Sequence, residues 1–494
     1  MSNGILPAEG DRMAALEVFM RSLAFLLAGS LLSAQALRVE RGAADYQVFQ
    51  RGPANAADVR VEGTAAGTQG KAVEARVLKA GMTLAGFDWK PAGKAENGRW
   101  QAELKALPAG GPYRIEFRVA GARDVASASH VLVGDLWVLA GQSNMEGVGN
   151  LEDLPLPSAM VNSLDMTDTW VVAEDPLHRL VDAVDKVHWR KNAKGEIAKL
   201  EGDELRKWIE ARRKGAGAGL PFALEMVRRT GVPVGLIPCA HGGTSMDQWS
   251  PDLKDKGGES LYGAMLRRIQ LAGGRVRGVL WYQGESDAND KAAPLFEEKF
   301  RRFIQQLRQD TGLRDLPFYY VQIGRHVTAA PAAPWDMVQD AQVRVESQLP
   351  NVWMTTCVDC ELDDGIHVGT DDLGLLGRRL ANLAEGRLRR GPRPVAARVK
   401  GQMILVEFSE VNGRLRHAGR LNGFSIRDAA GNELPLIYRQ RVSREAPNAI
   451  ELLFQGKLPE DAVLYYGAGR NPYVNLRDEA EMPAPAFGPL KIER

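Results

Sequence analysis

The sequence predicts an α/β fold in which a parallel sheet carries helices on both faces and smaller antiparallel β domains flank it. The first observation is that apolar runs of strand length alternate with helical patterns from residue 131 to about 390. The second is that short β-like runs, separated by Gly and Pro turns, fill residues 37–130 and 391–494. We therefore expect an N-terminal β domain, a central α/β domain and a C-terminal β domain with these boundaries.

The individual elements follow in chain order. In the N-terminal region, β-like runs predict strands at 59–61, 73–77 and 113–119. In the central region, polar clusters follow predicted strands at 131–139, 232–240, 277–281 and 352–356. Helical patterns there cover 222–229, 261–271, 294–308, 336–348 and 373–383. C-terminal strands are predicted at 403–408, 449–454 and 462–466.

A polar and charged insertion at residues 150–220 interrupts the alternation and ends in a glycine-rich run. Insertions at a sheet edge often carry substrate contacts or form a lid. We expect Trp170, His178, His188 and Trp189 to be mainly packing residues of this insertion, although they could line a ligand site. The basic cluster at 212–214 is expected to be the solvated end of a helix, and Asp135 a buried structural hydrogen-bonding residue.

Composition and charge are ordinary for a globular protein. Of 494 residues, 45% are hydrophobic and 25% charged. The formal net charge of +1 argues against a nucleic acid or an anionic membrane as partner. Because no phosphate-binding loop or dinucleotide fingerprint stands at a suitable place, no cofactor is expected, and no metal site either. The oligomeric state is left open.

The N-terminus has the pattern of an export signal. Arg21 precedes an apolar run at 23–32 that is too short to span a bilayer comfortably. Ala34 and Ala36 form a small-x-small cleavage site, which predicts a signal peptide over residues 1–36. The mature protein is then expected to be periplasmic or extracellular, with no membrane contact. The alternative is a helical N-terminal anchor.

The chain contains three cysteines, an odd number, so at least one thiol is unpaired within the chain. Cys357 and Cys360 have the spacing of a redox motif, but no helix pattern begins there and no histidines complete a zinc site. Free thiols are the default expectation, and a small disulfide that would restrain the following loop is the alternative.

A candidate nucleophile stands in the motif GQSNM at 141–145, directly after the predicted strand 131–139. A serine in a turn between strand and helix has the geometry of a nucleophile if a histidine and an acid arrive from elsewhere. Paired glycines at 242–243 follow another strand, and their N–H groups could approach a ligand closely.

The candidate base and acid lie on a third loop, where Asp364 precedes His367 by three residues. An acid at this distance can orient an imidazole, which then deprotonates a serine on another loop. Asp363 remains an alternative acid, and His241 an alternative base.

Four motifs together resemble those of the SGNH-hydrolase superfamily, in its sialate O-acetylesterase and acetylxylan-esterase branch. They are GQSNM at 141–145, HGGTS at 241–245 with Trp249 after it, WYQGESD at 281–287 and DGIH at 364–367. The resemblance implies a five-stranded, flavodoxin-like three-layer α/β domain. It also implies Ser143 as nucleophile, His367 as general base and Asp364 as orienting acid. The oxyanion donors would be the N–H groups of Ser143 and Gly243 and the side chain of Gln283.

The resemblance implies an exported carbohydrate O-acetylesterase that acts through an acetyl-enzyme on an acetylated oligosaccharide or polysaccharide. Trp249, Gln142 and Glu285 are then candidates for substrate binding. Trp249 could equally belong to the core, and Glu285 is interpreted first as a hydrogen-bonding scaffold for neighbouring loops, with a second acid as the alternative. Two other functions stay open: an esterase or thioesterase for other acyl groups, and a non-catalytic carbohydrate-binding protein.

Overall fold

The computed structural model of the protein describes residues 37–65, 70–191, 195–428 and 430–494, so the predicted signal peptide lies outside the described residues. The chain forms two compact units. The smaller unit takes its described residues from 37–43, 58–105 and 114–128, and the larger unit comprises 44–57, 106–113 and 129–494. Because the larger unit holds both the parallel sheet and the C-terminal strands, the three-domain division stays a prediction.

The N-terminal region contains only strands among its described residues. They are β1 Arg38–Arg41, β2 Val48–Gln50, β3 Ala56–Thr64, β4 Ala72–Lys79, β5 Met82–Thr83, β6 Lys90–Glu96, β7 Arg99–Pro108 and β8 Gly110–Val119. Pairings β1–β3, β4–β5, β4–β6 and β6–β7 are antiparallel, as expected. Val59 and Val61 of β3 are buried, whereas Arg60 between them faces solvent. This is the period-2 pattern of a half-buried strand.

The central region alternates strands and helices. The strands are β9 Ala126–Gly141, β10 Gly149–Asn150, β11 Val161–Leu164, β12 Trp170–Val172, β13 Arg190–Lys191, β14 Ile197–Ala198, β15 Lys214–Ala216, β16 Val234–Pro238, β17 Gly278–Tyr282, β18 Phe318–Gln322 and β19 Val352–Thr356. The α-helices are α1 Ser143–Glu146, α2 Gly202–Ala211, α3 Gly219–Thr230, α4 Leu261–Leu271, α5 Phe296–Thr311, α6 Ala333–Gln348 and α7 Thr370–Glu385. Short 3₁₀ helices occupy Leu180–Asp182, Lys186–His188, Pro251–Glu259, Glu285–Asp287 and Ala293–Leu295.

The central sheet is parallel, with the strand order β11-β16-β9-β17-β18-β19. Strand β12 adds to its edge in antiparallel direction. Without β11 and β12, which come from the insertion, the five remaining strands have the order 2-1-3-4-5 known from doubly wound sheets. The insertion thus extends the sheet beyond the expected five strands. The strands are apolar and buried along nearly their whole length, as parallel sheets covered on both faces require.

The C-terminal region is again built of strands. They are β20 Arg393–Lys400, β21 Met403–Ser409, β22 Leu415–Arg416, β23 Phe424–Arg427, β24 Glu433–Leu434, β25 Ile437–Val442, β26 Ala449–Phe454, β27 Val463–Tyr466, β28 Arg477–Asp478 and β29 Phe487–Glu493. Eight of them form one sheet around a core of their own. The side chain of Asp359, three residues after β19, is 2% exposed and binds Arg379 of α7 and Arg477 of this region, so the strands are tied to the α/β core.

The cysteines correct one expectation. Cys357 and Cys360 form a disulfide, whereas free thiols were the default prediction. Their Cα atoms lie 5.0 Å apart because the chain turns sharply just after β19. Cys239 is free and buried. Across the described parts of the chain, helices of the length and apolarity needed to cross a membrane are not found.

Candidate active site

The serine turn is fixed by the backbone of the central sheet. Gly141 ends β9 with φ +130°, and a Cβ atom there would lie 2.2 Å from the carbonyl oxygen of Tyr282. The position therefore accepts only glycine. The N–H of Gln142 donates to the same carbonyl at 2.8 Å. Ser143 follows as the first residue of α1 and is half-buried at the carboxyl edge of the sheet.

The glycine turn after β16 lies directly against the serine turn. The N–H of His241 donates to the carbonyl of Gly141 at 3.0 Å, and the N–H of Gly242 donates to the Glu146 carboxylate at 2.7 Å. A Cβ atom on Gly242 would lie 3.4 Å from the Cβ of Ser143 and 3.0 Å from Glu146 Oε2. Glycine thus permits a close approach of the two turns.

Two backbone donors remain for a ligand at this contact. Among the described residues, no acceptor pairs with the N–H of Ser143 or of Gly243. Gly243 is exposed with φ +70°. Burial raises the pKa of Glu146, and the hydrogen bond from the N–H of Gly242 partly offsets this rise. Holding the glycine turn with a buried carboxylate therefore costs some electrostatic free energy. The arrangement can donate two hydrogen bonds to a developing oxyanion.

Gln283 does not supply the third donor that the resemblance implies. Its side chain is fully buried, and its amide nitrogen donates to the carbonyl of Thr244 at 3.1 Å and to Asp287 at 2.5 Å. Both partners are acceptors, which fixes the orientation of the amide and engages both N–H bonds. Asp287 also accepts the N–H of Met246 at 2.9 Å. Gln283 and Asp287 therefore hold the glycine turn in place.

Asn144 joins the serine turn to the loop that carries the candidate base. Its Oδ1 accepts the N–H of Val368 at 3.0 Å, and its Nδ2 donates to the carbonyl of Ile366 at 3.4 Å. These residues flank His367 on both sides. The same Nδ2 donates to Glu285 at 2.8 Å. Burial raises the pKa of Glu285, with the bond from Asn144 acting in the opposite direction.

The Asp-His pair on the loop between β19 and α7 has the geometry of a base and its orienting acid. His367 Nδ1 lies 2.8 Å from Asp364 Oδ2. Asp364 Oδ1 also accepts the N–H groups of Ile366 and His367, each at 3.0 Å. Burial opposes the ionisation of Asp364, but these hydrogen bonds outweigh it and hold its pKa well below the usual range. Asp363 instead accepts the N–H and hydroxyl of Thr370 at the start of α7, so it acts as a helix cap.

His241, the alternative base, has no carboxylate partner among the described residues. Its Nδ1 faces Nδ1 of His188 at 3.1 Å, and the two rings stack. Burial, together with the charge of Arg190, lowers the pKa of His241 to about 4. His241 therefore shapes the glycine turn.

The end of the insertion reaches the candidate acid Asp364, which the sequence did not predict. Lys214 Nζ lies 3.5 Å from Asp364 Oδ2. The backbone of Lys214 is held by β15, which pairs with β10, and by Arg212, whose Nε donates to its carbonyl at 2.5 Å. Of the basic cluster, Arg213 is exposed as expected, whereas the Arg212 guanidinium packs on the Trp208 ring and Lys214 lies near Asp364.

The three substrate-binding candidates need correction. Trp249 is fully buried against Trp281 and Phe303, so it presents no surface to a sugar. Gln142 is buried, and its side-chain oxygen accepts backbone N–H groups of the loop after β17. Glu285 is buried, accepts a hydrogen bond from Asn144 and fits the scaffold interpretation that the sequence favoured over a substrate contact. None of the three faces a ligand.

The remaining expectations for single residues are met. Trp170, His178 and His188 are buried within the insertion, and Trp189 donates to a backbone carbonyl there. Asp135 is buried and accepts two hydrogen bonds from Arg51. Among the described residues, no cluster of three His, Cys, Asp or Glu side chains is arranged to hold a metal ion.

Three residues that organise the site were not predicted from the sequence: Asn144, Glu146 and Lys214. Asn144 directly follows the serine in the motif, and Glu146 directly follows the motif, so their place in the chain was a usable signal. Lys214 lies far from every motif and left no such signal.

A serine turn, a glycine turn and an Asp-His loop at the carboxyl edge of a parallel sheet are typical of α/β hydrolytic enzymes. Residues 133–385, just over half of the chain, match the family model of carbohydrate esterases described as sialic acid-specific acetylesterase. The chain belongs to this carbohydrate esterase family.

Curated relatives and a solved structure resemble the chain over different lengths. A probable carbohydrate esterase of Arabidopsis thaliana is 29% identical over 50% of this chain and 88% of its own length. Human sialate O-acetylesterase is 26% identical over 67% of this chain and 66% of its own length. The crystal structure of a carbohydrate acetylesterase from Xanthomonas citri matches with a TM-score of 0.64 at 23% identity, over 91% of this chain and 99% of that one. This last likeness concerns the fold.

Proposed function

We propose that the protein is a carbohydrate O-acetylesterase that removes acetyl groups from a sugar by a Ser-His-Asp mechanism. The observation that carries the proposal is the set of bonds made by Asn144. They tie both neighbours of His367 to the residue next to Ser143. A base oriented by Asp364 is thereby brought to the turn that bears the hydroxyl.

The mechanism follows from these groups. His367 accepts the proton of Ser143 as the hydroxyl attacks the ester carbonyl, and Asp364 stabilises the charged ring. The sugar leaves as an alcohol with the proton from His367, and an acetyl group stays on Ser143. Water, deprotonated by the same ring, then releases acetate.

Two backbone donors stabilise the oxyanion in this proposal: the N–H groups of Ser143 and Gly243. Gln283 contributes by fixing the glycine turn, since its amide is engaged elsewhere. A preorganised backbone donor is worth roughly a hundredfold to a thousandfold in turnover. The contribution of Gln283 is therefore smaller and indirect.

Family membership and relatives support the choice of substrate class. The family model and the human relative both name a sialate or sialic acid acetylesterase, and the Arabidopsis relative is named a probable carbohydrate esterase. The strand order 2-1-3-4-5 supports the finer assignment to a flavodoxin-like SGNH domain. We also propose export, on the basis of the N-terminal sequence pattern alone.

Replacing Ser143 by Ala tests the proposal. We expect acetate release from p-nitrophenyl acetate and from acetylated glycans to fall by at least about a thousandfold, as for loss of a nucleophile. Ser347→Ala is the matched control, because this exposed serine bonds only to its own helix α6.

Two results would decide against the proposal. Undiminished activity of Ser143→Ala would remove the nucleophile assignment. Preference of the wild-type protein for p-nitrophenyl octanoate over the acetate would favour an esterase for longer acyl groups.

A further inference from the structure

A cavity of about 480 Å³ lies within the insertion, between helix α2 and the carboxyl end of β11. Ser163 and Asp165 line it from β11 and the residues just after it, and Trp208 and Ile209 from α2. Because β11 runs parallel to β16, and β16 to β9, this cavity opens at the same edge of the sheet as Ser143. Its size is within the range of small-molecule sites.

Two residues of the cavity wall each carry a buried polar atom without a hydrogen-bond partner among the described residues. Ser163 Oγ and Asp175 Oδ1 are inaccessible to solvent, and no described residue forms a hydrogen bond with either. Buried polar groups are nearly always paired in folded proteins, so an unpartnered pair lining one cavity indicates a polar ligand or ordered water. Burial raises the pKa of Asp175 to about 7, although nearby backbone N–H groups oppose this. Near neutral pH this carboxyl can accordingly both donate and accept hydrogen bonds.

The opposite wall of the cavity supplies an aromatic surface. Helix α2 has no fully buried residue, and Ile209 is 44% exposed although it is apolar. Trp208 is half-buried, with the Arg212 guanidinium 4.6 Å from its ring centroid. Arg212 covers one face of the indole, so the other face would receive the apolar C–H face of a pyranose, whose rim of hydroxyls suits the carboxyl and hydroxyl groups of the cavity residues.

The cavity continues toward the catalytic loop. Asp175 also lines a second cavity of about 400 Å³, whose other walls include Asn150, Asp363 and Thr370. Asp363 directly precedes Asp364 in the chain, so the second cavity borders the loop that carries the candidate acid. The two cavities share Asp175, and the first of them is lined by Trp208.

We propose that the insertion cavity is a sugar subsite, which binds a pyranose unit of the same glycan chain whose acetyl group is presented to Ser143. The inference rests on the proposed function for its choice of ligand. It makes an oligosaccharide or polysaccharide a better substrate than an acetylated monosaccharide. It also gives the insertion a role in substrate length selection.

The test measures binding of unacetylated xylotetraose and of sialyllactose by isothermal titration calorimetry. At least one should bind the wild-type protein, and Trp208→Ala and Asp175→Asn should each weaken that binding at least about tenfold. Trp89→Ala, at a half-buried tryptophan of the smaller unit, is the matched control and should bind as wild type. Asp175→Asn keeps the shape of a buried side chain, and Trp208 lies on a helix without buried residues, so both variants should fold.

Kinetics separate this proposal from the proposed function. Both variants should hydrolyse p-nitrophenyl acetate at the wild-type rate, but show a raised KM with an acetylated oligosaccharide. Binding that depends on both residues, in a protein without esterase activity, would uphold the subsite and refute the function. Absence of binding to either sugar, or unchanged binding in either variant, would overturn the subsite whatever the activity.

Discussion

The two halves of the candidate site are held by different means. Ser143 and the glycine turn follow buried strands of the sheet, and the backbone around Gly141 leaves no space for any residue other than glycine. Asp364 and Gly365 instead lie exposed on a loop between β19 and α7. The candidate nucleophile is thus positioned by the fold, whereas the candidate base is positioned by a few side chains.

The contacts of the base loop can be counted individually. Asn144 binds both sides of His367, Asp363 caps helix α7, and the N–H of Val327 donates to the carbonyl of Gly365 at 2.7 Å. The disulfide closes the chain just before the loop. A variant that removes the contacts of Asn144 should therefore affect catalysis more than stability.

The largest effect is expected from Asp364→Asn, which attacks the base half alone. Asparagine retains an oxygen for the N–H groups of Ile366 and His367, so the loop should keep its shape. It cannot accept the ring proton of His367 as a carboxylate does. We expect kcat to fall roughly 10³- to 10⁴-fold, measured with p-nitrophenyl acetate.

Asp363→Asn is the matched control for this variant. Since Asp363 caps helix α7, the Asp363→Asn variant should have a lower melting temperature, but its kcat should fall by no more than about fivefold. A greater loss of kcat in Asp363→Asn than in Asp364→Asn would mean that Asp363 is the orienting acid and Asp364 the helix cap.

The next effect concerns the link between the halves, which Asn144→Ala removes. The loop around His367 would lose two hydrogen bonds, and a displacement of about 1 Å can cost on the order of a hundredfold in rate. We expect a loss of that order in kcat. Asn382→Ala removes a buried amide of α7 that binds Arg229, far from the site. If both variants lose rate equally, general destabilisation explains the effect and the link has no special role.

The same contrast explains what the sequence could predict. The serine turn and the glycine turn were located correctly because a buried strand followed by Gly is a local pattern. The strands at 277–281 and 352–356 were found because a short apolar run is also a local pattern. The edge strand β11 was missed since its four residues lie within a polar insertion. Its place in the sheet depends on pairing with β16, which is a tertiary contact.

Side-chain roles were predicted less well than positions. Gln283 was expected at the ligand and Trp249 either there or in the core, but both are buried against partners from other segments. Motif letters give the residue type and its place in the chain, and not the direction of the side chain. Lys214 shows the converse, because a residue outside every motif lies near the candidate acid.

The nucleophile half should also respond to acid, since it buries neutral histidines. Burial lowers the pKa of His188 well below its usual value, and that of His241 to about 4. Each folded pKa is below the unfolded value near 6.5, so the stability contribution is present above pH 6.5 and is lost as the pH falls toward 4. We expect the free energy of unfolding to fall by up to about 1.4 kcal/mol per pH unit for each histidine in that window.

Denaturant unfolding between pH 4.5 and 8 measures this slope. The double variant His188→Gln/His241→Gln cannot take up these protons on unfolding, so its stability should depend less steeply on pH. An unchanged slope would show that the acid response arises elsewhere in the protein.

The smallest effect is expected from Lys214→Met, which sharpens the account of the base half. The Lys214 and Asp364 side chains are 42% and 38% exposed, so water screens their attraction strongly. Without the lysine, kcat with p-nitrophenyl acetate should fall by no more than about fivefold, because an exposed ion pair is worth about 1 kcal/mol at most. Lys214→Arg should keep the wild-type rate, and Lys191→Met, an exposed charge of the same insertion, should leave the rate unchanged. An equal loss in Lys191→Met would reduce the effect to net charge, and a loss of more than about tenfold in Lys214→Met would mean that the lysine positions the loop of Asp364.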